Sequence, residues 1–439
     1  MTARWLTAVT AAARSAHAIG AALLIMSLAT LLLPGCARAP APPVSQDDEG
    51  DGAAGGDVDA LAGQRFFPDC SAFLLAPDGR SLTLVQGRRL LTFAVSGADE
   101  LLGATPPAEL DLSGLGDGAS DRLRPVAWCQ GREGPALLVA AAAPDDYADE
   151  DRYYYVPLSA DSAPRPLADG PLRCWWAFAP GAGVDIAAVR HDRGADSFAY
   201  CARPLDGLGP AAWQPAWRAP AGSLLRAVRL ASPTVAVAET YSERLVDAGG
   251  FKSESQLWRI DLTVDSAGAV QAAVAELSTG LDDLDHWCPS PGGDAIVALG
   301  FRASEPRACL VMLSGADPVD LGPCDVSWAG WSVDGRRLCY RTSDYCLRSY
   351  DLGLMTGKDV PFGSFSGGSE CRGMPLEGER WLLWDGIRMA VVDGRTGATS
   401  FIARGHDKET LQVSRDGLTV AFVDAEAGGV RLVRLIARP

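Results

Sequence analysis

GWSVDGRRLCYRT, residues 330–342, is a short apolar strand, an Asp-Gly pair and a second apolar strand. Asp-Gly suits a tight hairpin, because both residues tolerate positive φ and the resulting backbone twist matches that of paired strands. The pattern returns at 73–85 (FLLAPDGRSLTLV) and 411–424 (LQVSRDGLTVAFVD). Asp78-Gly79, Asp334-Gly335 and Asp416-Gly417 are therefore turn residues before they are ligands. A third strand often follows and closes on an acidic residue and a glycine, as at 347–358 (LRSYDLGLMTGK) and 389–403 (MAVVDGRTGATSFIA).

Working outward, degenerate copies put a Gly- or Pro-rich turn between two short strands at 127–142, 174–189, 229–239, 287–301 and 375–386. Eight turns result, at roughly 40 to 60 residue intervals, the range in which four-stranded propeller blades recur. The Asp-Gly hairpin followed by an apolar strand and a closing Asp-Leu or Asp-Gly resembles the TolB-like, WD-like β-propeller repeat of exported bacterial proteins. That resemblance spans Leu61 to the C-terminus and implies an all-β chain folded as a single β-propeller of about eight blades. Seven is the alternative, if the copy near Arg132 or the one near Pro233 elaborates its neighbour. The last repeat offers only three strands before Pro439. The segment around Gln64-Arg65-Phe66-Phe67 is expected to supply the fourth, closing the ring with strands from both termini and removing an exposed edge.

Ahead of the repeats, residues 1–35 carry Arg4, Arg14 and no acid, then an apolar run from Ile19 to Leu33. That order is an export signal, and the run falls short of the roughly 20 apolar residues a spanning helix needs. Leu33-Pro34-Gly35-Cys36 resembles the lipobox of bacterial lipoproteins, which implies cleavage before Cys36, lipidation of its thiol and anchoring to a membrane at the cell surface or periplasmic face. Residues 36–60 are rich in Ala, Pro, Gly and Asp, lack aromatics and read as a flexible tether to a propeller at 61–439.

The net charge is −16, and −18 without the two arginines ahead of Cys36, which argues against nucleic acid as a partner. Eleven cysteines leave ten besides Cys36. Cys339 and Cys346 sit equidistant from a turn centred on Thr342-Ser343 and are the best local disulfide candidates, with two free thiols as the other reading. Cys174 with Cys201 and Cys288 with Cys309 are weaker pairs.

Catalytic signals are sparse. Gly363-Ser364-Phe365-Ser366-Gly367 has phenylalanine where a hydrolase nucleophile would stand. Asp282, Asp283, Asp285 and His286 form the densest cluster near an inner strand and are candidate ligands for a hard cation such as calcium, set against a solvated loop. No other cofactor is indicated. Trp128, Trp175 and Trp287 stand near inner-strand starts and are candidate platforms for a peptide or glycan at the channel mouth, set against packing between blades. These readings lead to a lipid-anchored propeller that serves as a non-catalytic binding or assembly scaffold for a protein, peptide or glycan. The alternative is a lactonase-like or glycan-active enzyme with a metal-assisted site at the channel mouth.

Overall fold

The computed structural model describes residues 61–76, 78–95, 101–103, 106–115, 122–131, 134–142, 152–158, 163–166, 174–179, 187–192, 196–201, 213–245, 251–265, 269–360, 371–376, 378–385, 388–404, 410–424 and 426–436. Cys36 and the segments assigned to the signal and tether lie outside them. The described chain is all-β, with eight antiparallel four-stranded sheets. Among the described residues no helix is long and apolar enough to cross a membrane.

The N-terminal strand is β1 (Leu61–Pro68). Blade 1 is β2 (Ala72–Leu75), β3 (Ser81–Gln86), β4 (Arg89–Ala94) and β5 (Ala108–Asp111), and blade 2 is β6 (Arg122–Gly131), β7 (Gly134–Ala142), β8 (Arg152–Pro157) and β9 (Arg165–Pro166). Blade 3 is β10 (Cys174–Ala179), β11 (Ala187–Asp192), β12 (Ser197–Cys201) and β13 (Gln214–Arg218). Blade 4 is β14 (Leu224–Ser232), β15 (Val235–Leu245), β16 (Phe251–Val264) and β17 (Val270–Leu277), and blade 5 is β18 (Asp283–Pro289), β19 (Ala295–Arg302), β20 (Glu305–Met312) and β21 (Val319–Pro323). Blade 6 is β22 (Ala329–Trp331), β23 (Arg337–Arg341), β24 (Leu347–Asp351) and β25 (Thr356–Asp359). Blade 7 is β26 (Arg372–Pro375), β27 (Arg380–Trp384), β28 (Arg388–Asp393) and β29 (Thr399–Arg404). Blade 8 is β30 (Gln412–Val413), β31 (Thr419–Asp424) and β32 (Gly429–Leu435), completed by β1 in the order β1-β32-β31-β30. The propeller therefore has eight blades. The copies near Arg132 and Pro233 are each the first hairpin of a full blade.

Closure runs through β1, whose Gln64 lies opposite Val433 and Phe67 opposite Val430. Phe67 is buried with Leu75, Leu82, Ala421 and Val430, the apolar layer between blades 8 and 1. Comparable layers fill six other junctions, and between blades 2 and 3 a smaller cluster of Cys129, Ala136, Leu138 and Tyr155 on blade 2 packs against Trp213. Polar atoms also stitch blades together. Leu75 N–H donates to Gln412 Oε1 at 2.8 Å from blade 1 to blade 8, and Tyr340 O–H donates to Leu321 O at 2.7 Å from blade 6 to blade 5.

The Asp-Gly hairpins differ in detail from the two-residue turn expected. Only the glycine is left-handed: Gly335 and Gly417 have φ of +70° and +67°, while Asp334 and Asp416 do not have positive φ. The turn spans four residues, closed by Gly335 N–H to Ser332 O at 2.9 Å and by Gly417 N–H to Ser414 O at 2.8 Å. The aspartate acts as an acceptor, since Asp334 Oδ1 takes hydrogen bonds from Ser332 Oγ at 2.6 Å and Arg336 N–H at 3.1 Å. A Cβ on Gly335 would lie 3.0 Å from Gly292 N of blade 5, so this glycine answers both to its backbone and to its neighbour.

The hairpin register removes the local disulfide candidate. Thr342 N–H donates to Cys346 O, which centres the β23–β24 turn on Asp344 and not on Thr342-Ser343. Cys339 then lies opposite Ser349, fully buried, while Cys346 is exposed at the tip. All eight cysteines whose side chains are described are free thiols. Burial and the Asp385 charge push Cys371 up to about 12, so it packs as a neutral small hydrophobe. The side chains of Cys174 and Cys201 lie outside the described residues.

Candidate functional site

The first strands of neighbouring blades meet around the ring, β2 with β6 and β30, β10 with β14, β18 with β14 and β22, and so form its inner wall. Two of them, β14 and β18, carry a bulge at the same height. Register shifts between Leu225 and Ala227 on β14, and between Leu284 and His286 on β18, leave Arg226 and Asp285 as the extra residues. A bulge resets the inward and outward alternation of a strand. Leu284 and Trp287, three residues apart, consequently bury in the same layer between blades 4 and 5, and Arg226 and Asp285 are turned out to solvent.

That reset decides where the tryptophans sit. Trp287 is 3 % exposed, and its indole N–H donates to Glu239 Oε2 at 2.8 Å, from blade 5 to β15 of blade 4. The other Glu239 oxygen accepts from Arg226 Nη1 at 2.9 Å, and the Arg229 guanidinium lies 5.0 Å from the Trp287 ring centroid. Trp128 is half-buried and reaches Leu74 O of blade 1 at 3.4 Å, while Trp331 donates to Cys288 O of blade 5 at 3.0 Å. These indoles tie each blade to the one before it. Trp175 stands on β10, and its side chain lies outside the described residues.

The acidic cluster is spread out. The Asp282 carboxylate accepts from Ala303 N–H at 2.6 Å, capping the β19–β20 turn, where Ala303 and Ser304 have positive φ. Asp283 and Asp285 are exposed and His286 is half-buried. Among the described residues no three His, Cys, Asp or Glu side chains converge as a ligand set. Burial lowers the pKa of His286 and the charge of Arg229 lowers it further; Asp285 opposes both, and Arg372 on β26 adds to the lowering. The two cations acting on His286 thus come from the neighbouring blade 4 and from blade 7, two blades further on.

Turn residues named from the sequence, Asp334 and Asp416, line one face together with charged neighbours that the turn-based reading passed over. One cleft of about 550 Å³ runs over blades 6 to 8 between Asp334, Arg337, Lys358, Glu379, Arg415 and Asp416. A second, of about 800 Å³, runs over blades 4 to 6 past Arg259, Asp294 and Arg336. The two clefts share Asp334. Burial pulls the Asp334 carboxyl up, but the Ser332 hydroxyl, the Arg336 N–H and the charges of Arg337 and Arg336 outweigh it, so its pKa lies below the ordinary value and it is ionised at neutral pH. Lys358 and Arg395 both pair with Glu379, at 3.3 and 3.5 Å, and Leu354 is 72 % exposed at the rim. Strong signals for this surface were present in the sequence only as the turns themselves.

No protein-family model matches the chain, and no curated protein matches it. Among solved structures, it is similar to an oligogalacturonate lyase in complex with manganese, with 16 % identity over 70 % of this chain and 88 % of that one and a TM-score of 0.45. It is also similar to the β-propeller domain of Myceliophteria thermophila Cps50 (Swd1), with 10 % identity over 84 % and 98 % and a TM-score of 0.40. The Dos1 propeller matches with 10 % identity over 86 % and 96 % and a TM-score of 0.46. Likeness at this level concerns the β-propeller fold alone.

Proposed function

We propose that this chain is an exported lipoprotein, anchored through Cys36, whose eight-bladed propeller is a non-catalytic scaffold that binds a polypeptide segment of a partner protein across the face of the Asp-Gly turns. The observation that carries this reading is the pair of clefts meeting at Asp334, which together traverse blades 4 to 8. An extended segment fits such a path better than a compact small molecule, because small ligands favour enclosed, mostly apolar pockets. The walls alternate Arg337, Lys358 and Arg415 with Asp351, Glu379 and Asp416, which suits a partner carrying both signs of charge. Exposed Leu354 supplies an apolar contact at the rim. The lipobox resemblance at Leu33 to Cys36, and the TolB-like character of the repeats, support placing that surface at a bacterial membrane.

Affinity recovery of the acylated protein from its native membrane tests the reading, with L354E and E379R variants alongside. The expected result is a protein partner recovered with the parent chain and lost with either variant, and a C36S chain that no longer partitions into detergent. Recovery of no partner, together with turnover of a small substrate by the purified chain, overturns it.

A further inference from the structure

The outer strand of each blade ends a sheet, and its unpaired N–H and C=O groups are a template for another chain unless the edge is blunted by shortness, charge, proline or a bulge. Among the described outer strands seven are blunted. β5, β9 and β25 have four residues or fewer. β1, β13, β21 and β29 each carry a register shift against the neighbouring strand, and the first three contain proline as well. The exception is β17, VQAAVAEL from Val270 to Leu277, which pairs with β16 over eight residues without a shift, has no proline and is uncharged from Val270 to Ala275. Gln271, Ala273, Val274, Ala275 and Glu276 are exposed. The ladder fixes what this edge offers. Asp265 N–H donates to Ala269 O at 3.0 Å and Leu262 N–H to Thr234 O at 2.7 Å, so odd-numbered residues of β16 bond to β17 and even-numbered ones to β15. On β17 the backbone groups of Val270, Ala272, Val274 and Glu276 therefore point away from β16, and among the described residues no hydrogen bond reaches them.

We propose that β17 is a self-association edge, pairing antiparallel with β17 of a second copy of this chain about a two-fold axis at Ala273. In that register Val270 meets Glu276 and Ala272 meets Val274, each twice over, so every outward N–H and C=O finds a partner. A slip of one residue would oppose outward and inward groups, and a slip of two would leave Val270 or Glu276 unpaired. The side chains agree with the same register. Ala273 meets Ala273 and Gln271 meets Ala275, which are small or uncharged, and the 43 % exposed Val274 gains Ala272 of the second copy as its neighbour. No like charges are opposed, because the two Glu276 residues stand six positions apart along the ladder, about 20 Å at ~3.4 Å per residue, which is more than a Debye length at physiological salt. That matters in a chain of net charge −16, whose copies repel one another over most of their surface. A pairing that uses the one open edge of both copies closes as a dimer and does not propagate into a fibre. One strand pair is a small interface, so the dimer is reversible and concentration-dependent. β17 shares no residue with the turn-face clefts, and either proposal can fail alone.

Cysteine cross-linking and sedimentation velocity of the full chain in detergent test it. Opposed residues of a non-hydrogen-bonded antiparallel pair have Cα atoms about 4.5 Å apart, within reach of a disulfide. In a background with the exposed Cys346 replaced by serine, A273C under mild oxidant is expected to give a reducible band of twice the chain's mass. The background itself, and Q271C, whose new thiol faces Ala275 of the second copy, are expected to stay at a single mass. In sedimentation, A273K and A273E each oppose like charges across the axis and are expected to weaken dimerisation about fivefold, while an equimolar mixture of the two regains it. Recovery by mixing separates a lost contact from a lost fold, since two misfolded chains would not restore one another. L354E on the turn face is expected to leave the dimer unchanged. A parent chain that sediments as a monomer at every concentration, a cross-linked band no stronger in A273C than in its background, or a mixture no better than its components overturns the proposal.

Discussion

At the scale of single residues, Trp287 separates a packing role from a ligand role. Its indole N–H is spent on Glu239, and its ring is buried between blades 4 and 5. Replacing it with phenylalanine keeps most of the apolar contact but leaves one oxygen of a carboxylate that is 5 % exposed without its donor. An unmet buried acceptor costs about 1–3 kcal/mol. The W287F chain is therefore expected to lose about that much stability in denaturant titration, with an unchanged m-value. A Trp287 whose ring served as an open platform at the channel mouth would leave the midpoint where it is. The sequence could not distinguish these cases, because the alternation of β18 predicts the wrong face for one side of the bulge. Only the register shift between Leu284 and His286 puts Leu284 and Trp287 on the same side.

At the scale of the element, the hairpins were the most legible part of the sequence, for a local reason. An aspartate that accepts backbone hydrogen bonds and a glycine that supplies positive φ are both written at adjacent positions. The number of blades followed from counting such turns even where Asp-Gly had decayed to Ser-Pro-Thr at 232–234. What the turns could not reveal is that the arginines of β6, β14 and β26 all stand on first strands of their blades, since each looks like an ordinary surface charge along its own strand. The disulfide candidate failed for a similar reason, because a turn centred on Asp344 and not on Thr342-Ser343 moves every cross-strand partner by three residues, from Cys346 to Ser349 opposite Cys339. The hairpin of β31 and β32 shows how such an element responds to pH. Burial raises the Asp424 carboxyl, but hydrogen bonds from Ala427 N–H and the Arg431 guanidinium, together with the Arg431 charge, outweigh it, and its pKa lies below the ordinary 3.8. A carboxyl held low in the folded chain contributes stability that is present above its unfolded pKa and is lost as pH falls through the folded one. Urea midpoints measured from neutral pH down through pH 4 and below are expected to fall less steeply for D424N than for the parent chain, and to start lower at neutral pH. Parallel curves for the two would show that the pair of Asp424 and Arg431 does not link this hairpin to protons.

At the scale of the whole molecule, closure is the property on which the rest depends. Seven blades are each continuous in sequence, but blade 8 is made of three strands from the C-terminus and β1 from the N-terminus. Without β1 the outer edge of β32 loses its partner from Gly429 to Leu435, and an open edge invites pairing with another chain. The Phe67 ring would also leave the layer it shares with Leu82 and Val430, and its contact with Phe93 at 5.1 Å would go. Burying one phenylalanine is worth about 1.5–3 kcal/mol, and the lost strand pairing adds to it. A chain that begins after Pro68 is expected to melt roughly 10 °C lower, at about 2–4 °C per kcal/mol, and to form larger species on storage. A milder form of the same test keeps the strand and changes only its packing, with Phe67 replaced by alanine, so that the lattice of hydrogen bonds survives while the layer loosens. If both chains melt and elute as the parent does, the ring is held by blades 1 to 7 and by β30 to β32 alone.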